Sequence, residues 1–403
     1  MKKVLSFILA AATAASVPLS AVSAQSDEST GDFGLTYETI GGNAFITGFS
    51  GSDPIVIIPS ELDGKKVTGI SGNAFIGDED ITVVVIPDSV TSIGDKAFSA
   101  CPSLTTVTIG SGVNEIGSMA FSACPTLQSF FVSSENKTYT SKDGILFEGT
   151  ELVSYAGGND AKIPDGTVSV RRGAFMGKTE ISSVSFPDNG LVSLGDYSFS
   201  GCTSLEMVNI PGTVTYTGAG CFAGCYNLEE VFLSRTCTSV RERSFFGCTS
   251  LRGIAIPSSV TDIEDSAFLG CEKISGIYIP PTVKTIGADA VGKSYNVREN
   301  SIKTINGFTI HADKDSAGAE YAESLNIPVK SLMLGDINGN GIIEGSDATM
   351  TLSAYTYLSA GRCSGLDAYQ TAAADWNGDS IITGSDATAI LMKYTRLSSG
   401  YTD

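Results

Sequence analysis

The chain has 403 residues, with 25 Lys and Arg against 44 Asp and Glu, a net charge of −19, nine Cys, one Trp and one His. At 42% hydrophobic it can bury a core, so it is not broadly disordered. A chain this acidic repels phosphates and anionic headgroups, which argues against nucleic-acid or membrane-surface binding. The lone His311 excludes a multi-His metal site and leaves room for at most one His-based triad. Gly is high at 45 of 403, about 11% against a usual ~7%, which points to many tight turns.

At the N-terminus, Lys2 and Lys3 precede an apolar run from Val4 to Ala15, and Val22-Ser23-Ala24 supplies small residues for cleavage. This reads as a secretory signal peptide over residues 1–24. The run is too short to cross ~30 Å of hydrocarbon, and no later stretch is long and apolar enough to do so. The expectation is an exported chain without a membrane span, with a mature charge of −21.

A repeat follows. Phe75, Phe98, Phe121, Phe175, Phe199, Phe222, Phe245 and Phe268 are separated by 23 or 24 residues, except for one gap of 54 between Phe121 and Phe175. That gap contains "YTSKDGILFEGTELVSYAGG" and reads as one extended turn with an inserted hairpin. Each unit carries an L-x-x-V-x-I segment, as in Leu104/Val107/Ile109 and Leu205/Val208/Ile210, with Pro or Gly usually following. A second apolar pair comes next, for example Val260/Ile263, and then the Ala-Phe pair. A unit this short cannot bury its apolar residues alone, whereas stacked units can. Neither helical periodicity nor plain alternation explains the pattern.

The A-F-x-x-C-x-x-L-x-x-V-x-I-P pattern resembles the BspA-type leucine-rich repeat family, over roughly residues 30–330. The resemblance implies a β-rich solenoid of short parallel strands. The stretch "LTYETIGGNAFITGFSGSDPIVIIPSELDGKKV" resembles the family's opening cap, and "DSAGAEYAESLNIPVKSL" its closing helical segment.

Six Cys lie three residues after a marker Phe: Cys101, Cys124, Cys202, Cys225, Cys248 and Cys271. Export makes disulfides the first reading. The shared repeat position gives another, a buried row of small apolar side chains stacked ~4.8 Å apart, whose parallel side chains do not give the ~90° dihedral of a disulfide. Cys221, Cys237 and Cys363 lie off the row. Between the last two apolar positions of each segment lies an outward-facing residue. Along this row Phe131, Phe232 and Tyr278 are predicted as exposed aromatics that could contact a protein or a sugar ring.

Beyond residue 330 the repeat stops, and "DINGNGIIEGSDAT" recurs 39 residues later as "DWNGDSIITGSDAT". Oxygen-bearing side chains fall at loop positions 1, 3, 5, 9 and 12: Asp336, Asn338, Asn340, Glu344 and Asp347, then Asp375, Asn377, Asp379, Thr383 and Asp386. Position 7 offers the carbonyls of Ile342 and Ile381, and the apolar position 8, Ile343 and Ile382, could pair the loops. Calcium wants six to eight oxygens, and this spacing wraps a loop around it. The following helices also correspond at 39: Leu352 with Leu391, Tyr355 with Tyr394, Leu358 with Leu397.

This pair resembles a type I dockerin, with Asp rather than Glu at position 12 and no helix before the loop. The resemblance implies a small all-α domain over residues 334–403 with two calcium ions, after a solenoid over 25–333. It also implies a cohesin module of a scaffoldin as partner, contacted by Gly345, Ser346, Gly384 and Ser385 and by exposed helix residues. Identical Gly-Ser pairs in both copies would permit two binding orientations. Ser380 replaces the expected Gly, at a cost of about 1–2 kcal/mol if it must be left-handed.

The expected function is that of a secreted, non-catalytic component of a cohesin–dockerin, cellulosome-type assembly that degrades polysaccharide, held at the cell surface or outside it through the scaffoldin. The solenoid would offer a surface to a protein or glycan. The alternative is an adhesin for a host or matrix protein. A hydrolase is the third class, but no separate catalytic domain remains and no paired-carboxylate site stands out. His311 reads as a surface residue near the closing cap.

Overall fold

The structure, a computed structural model, describes residues 34–296 and 298–399, so the signal-peptide reading of residues 1–24 lies outside the described residues. The chain divides into two compact units, Met1–Asn159 with Thr167–Glu180 and Asp160–Gly166 with Ile181–Asp403.

The first unit opens with an antiparallel hairpin, Leu35–Ile40 against Asn43–Phe49, whose second strand pairs in parallel with Lys65–Ile70. Two parallel ladders follow. One runs through Ile55–Ile57, Val83–Ile86, Thr106–Ile109 and Ser129–Val132. The other runs through Lys65–Ile70, Ser92–Ile93 and Glu115–Ile116. Val83 faces Thr106 and Thr106 faces Ser129, so the backbone register equals the 23-residue period of the sequence. The long gap holds the expected inserted hairpin: Tyr139–Lys142, Ile145–Glu148 and Glu151–Ser154 pair antiparallel, and the last rejoins the parallel scheme at Ser169–Val170.

In the second unit Met207–Asn209, Glu230–Phe232 and Gly253–Ala255 form one parallel ladder. Ser239–Val240, Asp262–Ile263 and Thr285–Ile286 form another. Gly276–Tyr278 pairs with Thr309–His311, which pairs with Val329–Lys330. Helix α1, Ala317–Ser324, forms the helical part of the closing segment, with the Ser316 hydroxyl accepting the Ala319 amide at its start. Helices α2 (Gly345–Ser359), α3 (Ala368–Ala374) and α4 (Gly384–Ser398) complete the unit. Among the described residues no helix is long and apolar enough to cross a membrane.

A fixed register stacks each side chain on its counterpart. The marker rings lie nearly parallel, 4.7 Å apart for Phe75–Phe98, 5.5 Å for Phe98–Phe121 and 5.4 Å for Phe199–Phe222. Phe222–Phe245 and Phe245–Phe268 follow at 5.7 and 5.3 Å. The six row cysteines are all buried. The thiols of Cys101, Cys124, Cys225, Cys248 and Cys271 each donate to the carbonyl of the marker Phe 26 residues earlier, at 3.1–3.2 Å. Burial pushes the Cys248 thiol up to about 12, so it stays a neutral donor.

Lys178 occupies the row position after the long gap, three residues beyond Phe175. Its buried ammonium donates to the carbonyls of Cys124 and Leu127, both at 2.8 Å. Part of the acidity is structural as well. Asp88, Asp95, Asp196 and Asp265 each accept the backbone amide of the residue 23 positions later.

Truncating one stacked ring should leave a cavity that neighbouring turns cannot close. Phe222→Ala is expected to cost about 3–5 kcal/mol in chemical denaturation. Tyr226→Ala, at a ring 54% exposed, should change stability by less than about 0.5 kcal/mol.

Candidate functional site

The duplicated segment forms two loops with one hydrogen-bond scheme. In the first, the Asp336 carboxylate accepts the amides of Asn340 and Gly341, the Asn338 side chain accepts that of Asn340, and the Asn340 side chain that of Ile342. In the second, Asp375 accepts the amides of Asp379 and Ser380, Asn377 that of Asp379, and Asp379 that of Ile381. Each loop runs straight into a helix. Glu344 and Thr383 are the N-caps of α2 and α4, and Asp347 and Asp386 accept the cap residues' own amides. Loop positions 9 and 12 therefore also serve as capping boxes.

Asp336, Asp347, Asp375 and Asp386 are at most 8% exposed. Among the described residues none of them ion-pairs with Lys or Arg. Burial, with Asp379 and Asp386 nearby, pushes the Asp375 carboxyl up to about 6 against the opposing Ser380 amide. Buried carboxylates without a cationic partner, beside the more open carboxylates of Glu344 and Asp379 and amide, hydroxyl and main-chain oxygens, match the preferences of a hard divalent cation. Among the described residues no three His, Cys, Asp or Glu side chains gather as a metal-holding group, so any cation here would also need oxygens such as those of Asn338, Asn340, Asn377, Thr383 and the Ile342 and Ile381 carbonyls. Ser380 is left-handed, φ +66°, where the first loop has Gly341 at φ +86°. Its buried hydroxyl has no hydrogen-bond partner among the described residues.

The helix faces are exposed. Leu352, Tyr355, Leu391, Tyr394 and Leu397 stand open to solvent, while Leu358 is half-buried. Tyr394 packs over Gly345 at the start of α2 and Tyr355 over Gly384 at the start of α4, each 3.7 Å from where a Cβ would stand. These reciprocal contacts give the pair a pseudo-two-fold arrangement. Ser346 and Ser385 lie exposed beside them.

Three expectations need correcting. Phe232 is not an exposed aromatic: it is 6% exposed, in one apolar cluster with Ile337, Leu366, Ala373, Ala374, Ile382 and Ile390 of the C-terminal segment. His311 is not on the surface either. Its ring lies 4.5 Å from that of Tyr369, and burial lowers its pKa. The second loop does have a helix before it, since α3 ends at Ala374 with Asp375 as its C-cap. Phe131 and Tyr278, also expected as exposed aromatics, are instead half-buried on their strands. Ile382 belongs to the same apolar cluster as Phe232, and the partly buried Ile343 packs against it. The sequence reading passed over α3, whose Ala-rich run has an Asp367–Gln370 capping box as its one local signal.

A family model described as "BspA type Leucine rich repeat region (6 copies)" matches residues 64–156 and 159–298, more than half of the chain. The chain belongs to this family of leucine-rich repeat proteins. No curated protein matches it. Among solved structures, a leucine-rich cell surface protein from Faecalibacterium prausnitzii is 20% identical, over 69% of this chain and 97% of that one, with a TM-score of 0.34. A leucine-rich repeat protein from Eubacterium ventriosum is 19% identical, over 62% and 89%, with a TM-score of 0.44. The pneumococcal vaccine antigen PcpA is 15% identical, over 74% and 97%, with a TM-score of 0.43.

Replacing the left-handed residue should relieve strain without losing a hydrogen bond, because the Ser380 amide still reaches Asp375. Ser380→Gly is expected to stabilise the metal-free chain by about 1 kcal/mol in thermal unfolding.

Proposed function

We propose that this is a secreted, non-catalytic binding protein whose C-terminal loop–helix pair is a dockerin that binds two calcium ions and docks on the cohesin of a scaffoldin. In this reading Asp336, Asn338, Asn340, Ile342, Glu344 and Asp347 hold one ion. Asp375, Asn377, Asp379, Ile381, Thr383 and Asp386 hold the other. Calcium supplies the positive charge that the buried carboxylates lack and fixes the loops. The chain's own residues do the rest: the capping boxes orient α2 and α4, and the helix starts present Gly345-Ser346 and Gly384-Ser385 to the partner. The observation that carries the reading is the two-fold repetition of loop scheme, helix start and exposed apolar face. The solenoid is then the recognition part of a polysaccharide-degrading, extracellular assembly.

Calorimetry against a panel of cohesins, with calcium and with chelator, tests this. Calcium-dependent binding is the expected result; calcium-independent binding, or none, would overturn it. If both orientations are used, Ser346→Asp or Ser385→Asp alone should cost only about twofold in affinity, or about 0.4 kcal/mol, while the double variant loses binding.

A second reading, an adhesin, rests on the half-buried Phe131 on its strand. It does not exclude the first. On a matrix-protein and glycan array, Phe131→Ser should weaken any captured ligand, and an array without signal would leave the solenoid as a spacer.

A further inference from the structure

The outward positions of four successive strands in the second unit are Met207 and Asn209, Glu230 and Phe232, Gly253 and Ala255, and Gly276 and Tyr278. Three of the last four positions, Gly253, Ala255 and Gly276, are Gly or Ala, so this part of the face is a shallow trough. Helix α3 lies across Gly253–Ala255 and Gly276–Tyr278. Its Ala368, Thr371, Ala372, Ala373 and Ala374 are all buried. Small residues on both sides allow close approach, and a Cβ on Gly253 would stand 2.9 Å from the Leu366 carbonyl oxygen.

Beside the trough is a buried carboxylate. Glu230 is 2% exposed, and its oxygens accept the Ser364 amide at 2.6 Å and the Ser364 hydroxyl. Burial pushes its carboxyl up, the two Ser364 bonds pull it down, and Arg252 nearby adds to that pull. In two other repeats the same position holds Thr106 and Met207, so the 23-residue repeat does not require a carboxylate here. Phe232, two residues on, belongs to the apolar cluster that includes Leu366. At the far side His311 packs on Tyr369. An anchoring carboxylate, a trough and an aromatic flank thus meet one segment, Cys363–Ala374.

We propose that this strand face is a docking surface for the chain's own C-terminal loop–helix pair, with Glu230 anchoring Ser364, Gly253, Ala255 and Gly276 seating α3, and Phe232 masked beneath. Docking holds the loop–helix pair against the solenoid and leaves the exposed helix face of Leu352, Tyr355, Leu391 and Tyr394 free. A foreign ligand reaches Phe232 only by displacing the C-terminal residues clustered with it, Ile337, Leu366, Ala373, Ile382 and Ile390 among them. The docking needs neither calcium nor a cohesin, so it stands or falls separately from the function proposed above.

Hydrogen–deuterium exchange on the full chain, with chelator present, tests it through peptides covering residues 360–375. The Ser364 amide should be protected, and Glu230→Ala should speed its exchange roughly tenfold to hundredfold, as loss of a charged hydrogen-bond partner implies. Ser364→Ala, which keeps the amide and removes only the hydroxyl bond, should give a smaller effect of the same sign. In both variants the interior amides of α4 should keep their wild-type exchange, which separates undocking from unfolding. Protection that grows with protein concentration would replace the intrachain contact by one between copies and overturn the proposal. So would an unprotected Ser364 amide in the wild type, or one unaffected by Glu230→Ala.

Discussion

The parallel backbone ladder and its fixed register govern the rest of the molecule. Once a strand pairs with the chain 23 residues later, every side chain sits over its own counterpart. Phe rings stack on Phe rings, thiols repeat the same bond to a carbonyl, and Asp carboxylates repeat the same bond to an amide. No turn can bury its apolar residues by itself, so stability passes between neighbours and accumulates along the array. The same logic makes each turn intolerant of changes that its neighbours do not share.

The interruptions show how far that constraint bends. The long gap is filled by antiparallel strands, the last of which resumes parallel pairing at Ser169–Val170. At the return the row residue is Lys178, whose ammonium takes the carbonyls of both Cys124 and Leu127. A thiol offers one donor and a lysine three, so a single substitution satisfies two carbonyls in an apolar setting, with carbonyl dipoles on its charge. Strand edges at the ends of the array are covered by the Leu35–Phe49 hairpin and by the segment containing α1.

In the C-terminal segment, local and distant constraints share the same residues. Asp347 and Asp386 close a loop and cap a helix at once, so loop geometry and helix direction cannot vary independently. The loop–helix pair has two faces of different character. One is exposed and symmetric, with Tyr355 and Tyr394 over the opposite helix start. The other is asymmetric, with α3 and Leu366 against the solenoid strands. The duplication accounts for the first face. It does not account for the second, because α3 has no counterpart before the first loop.

What the sequence determined by itself is everything that repeats at a fixed spacing. The 23-residue step, the buried Cys row and the paired loops at 39 were readable, because like residues at like intervals take like environments; the inserted hairpin showed as a break in that step, and the closing helix through the family resemblance. Even the left-handed Ser380 was readable, from the Gly that its partner loop carries at Gly341. Tertiary structure alone decided the fates of Phe232, His311 and α3. Phe232 and His311 belong to an outward row that is exposed by strand geometry, and they are buried only because a segment remote in sequence, 134 residues away in the case of Glu230 and Ser364, folds over that row. Burial of that kind follows from shape and charge meeting across the fold, and neither leaves a period in the chain.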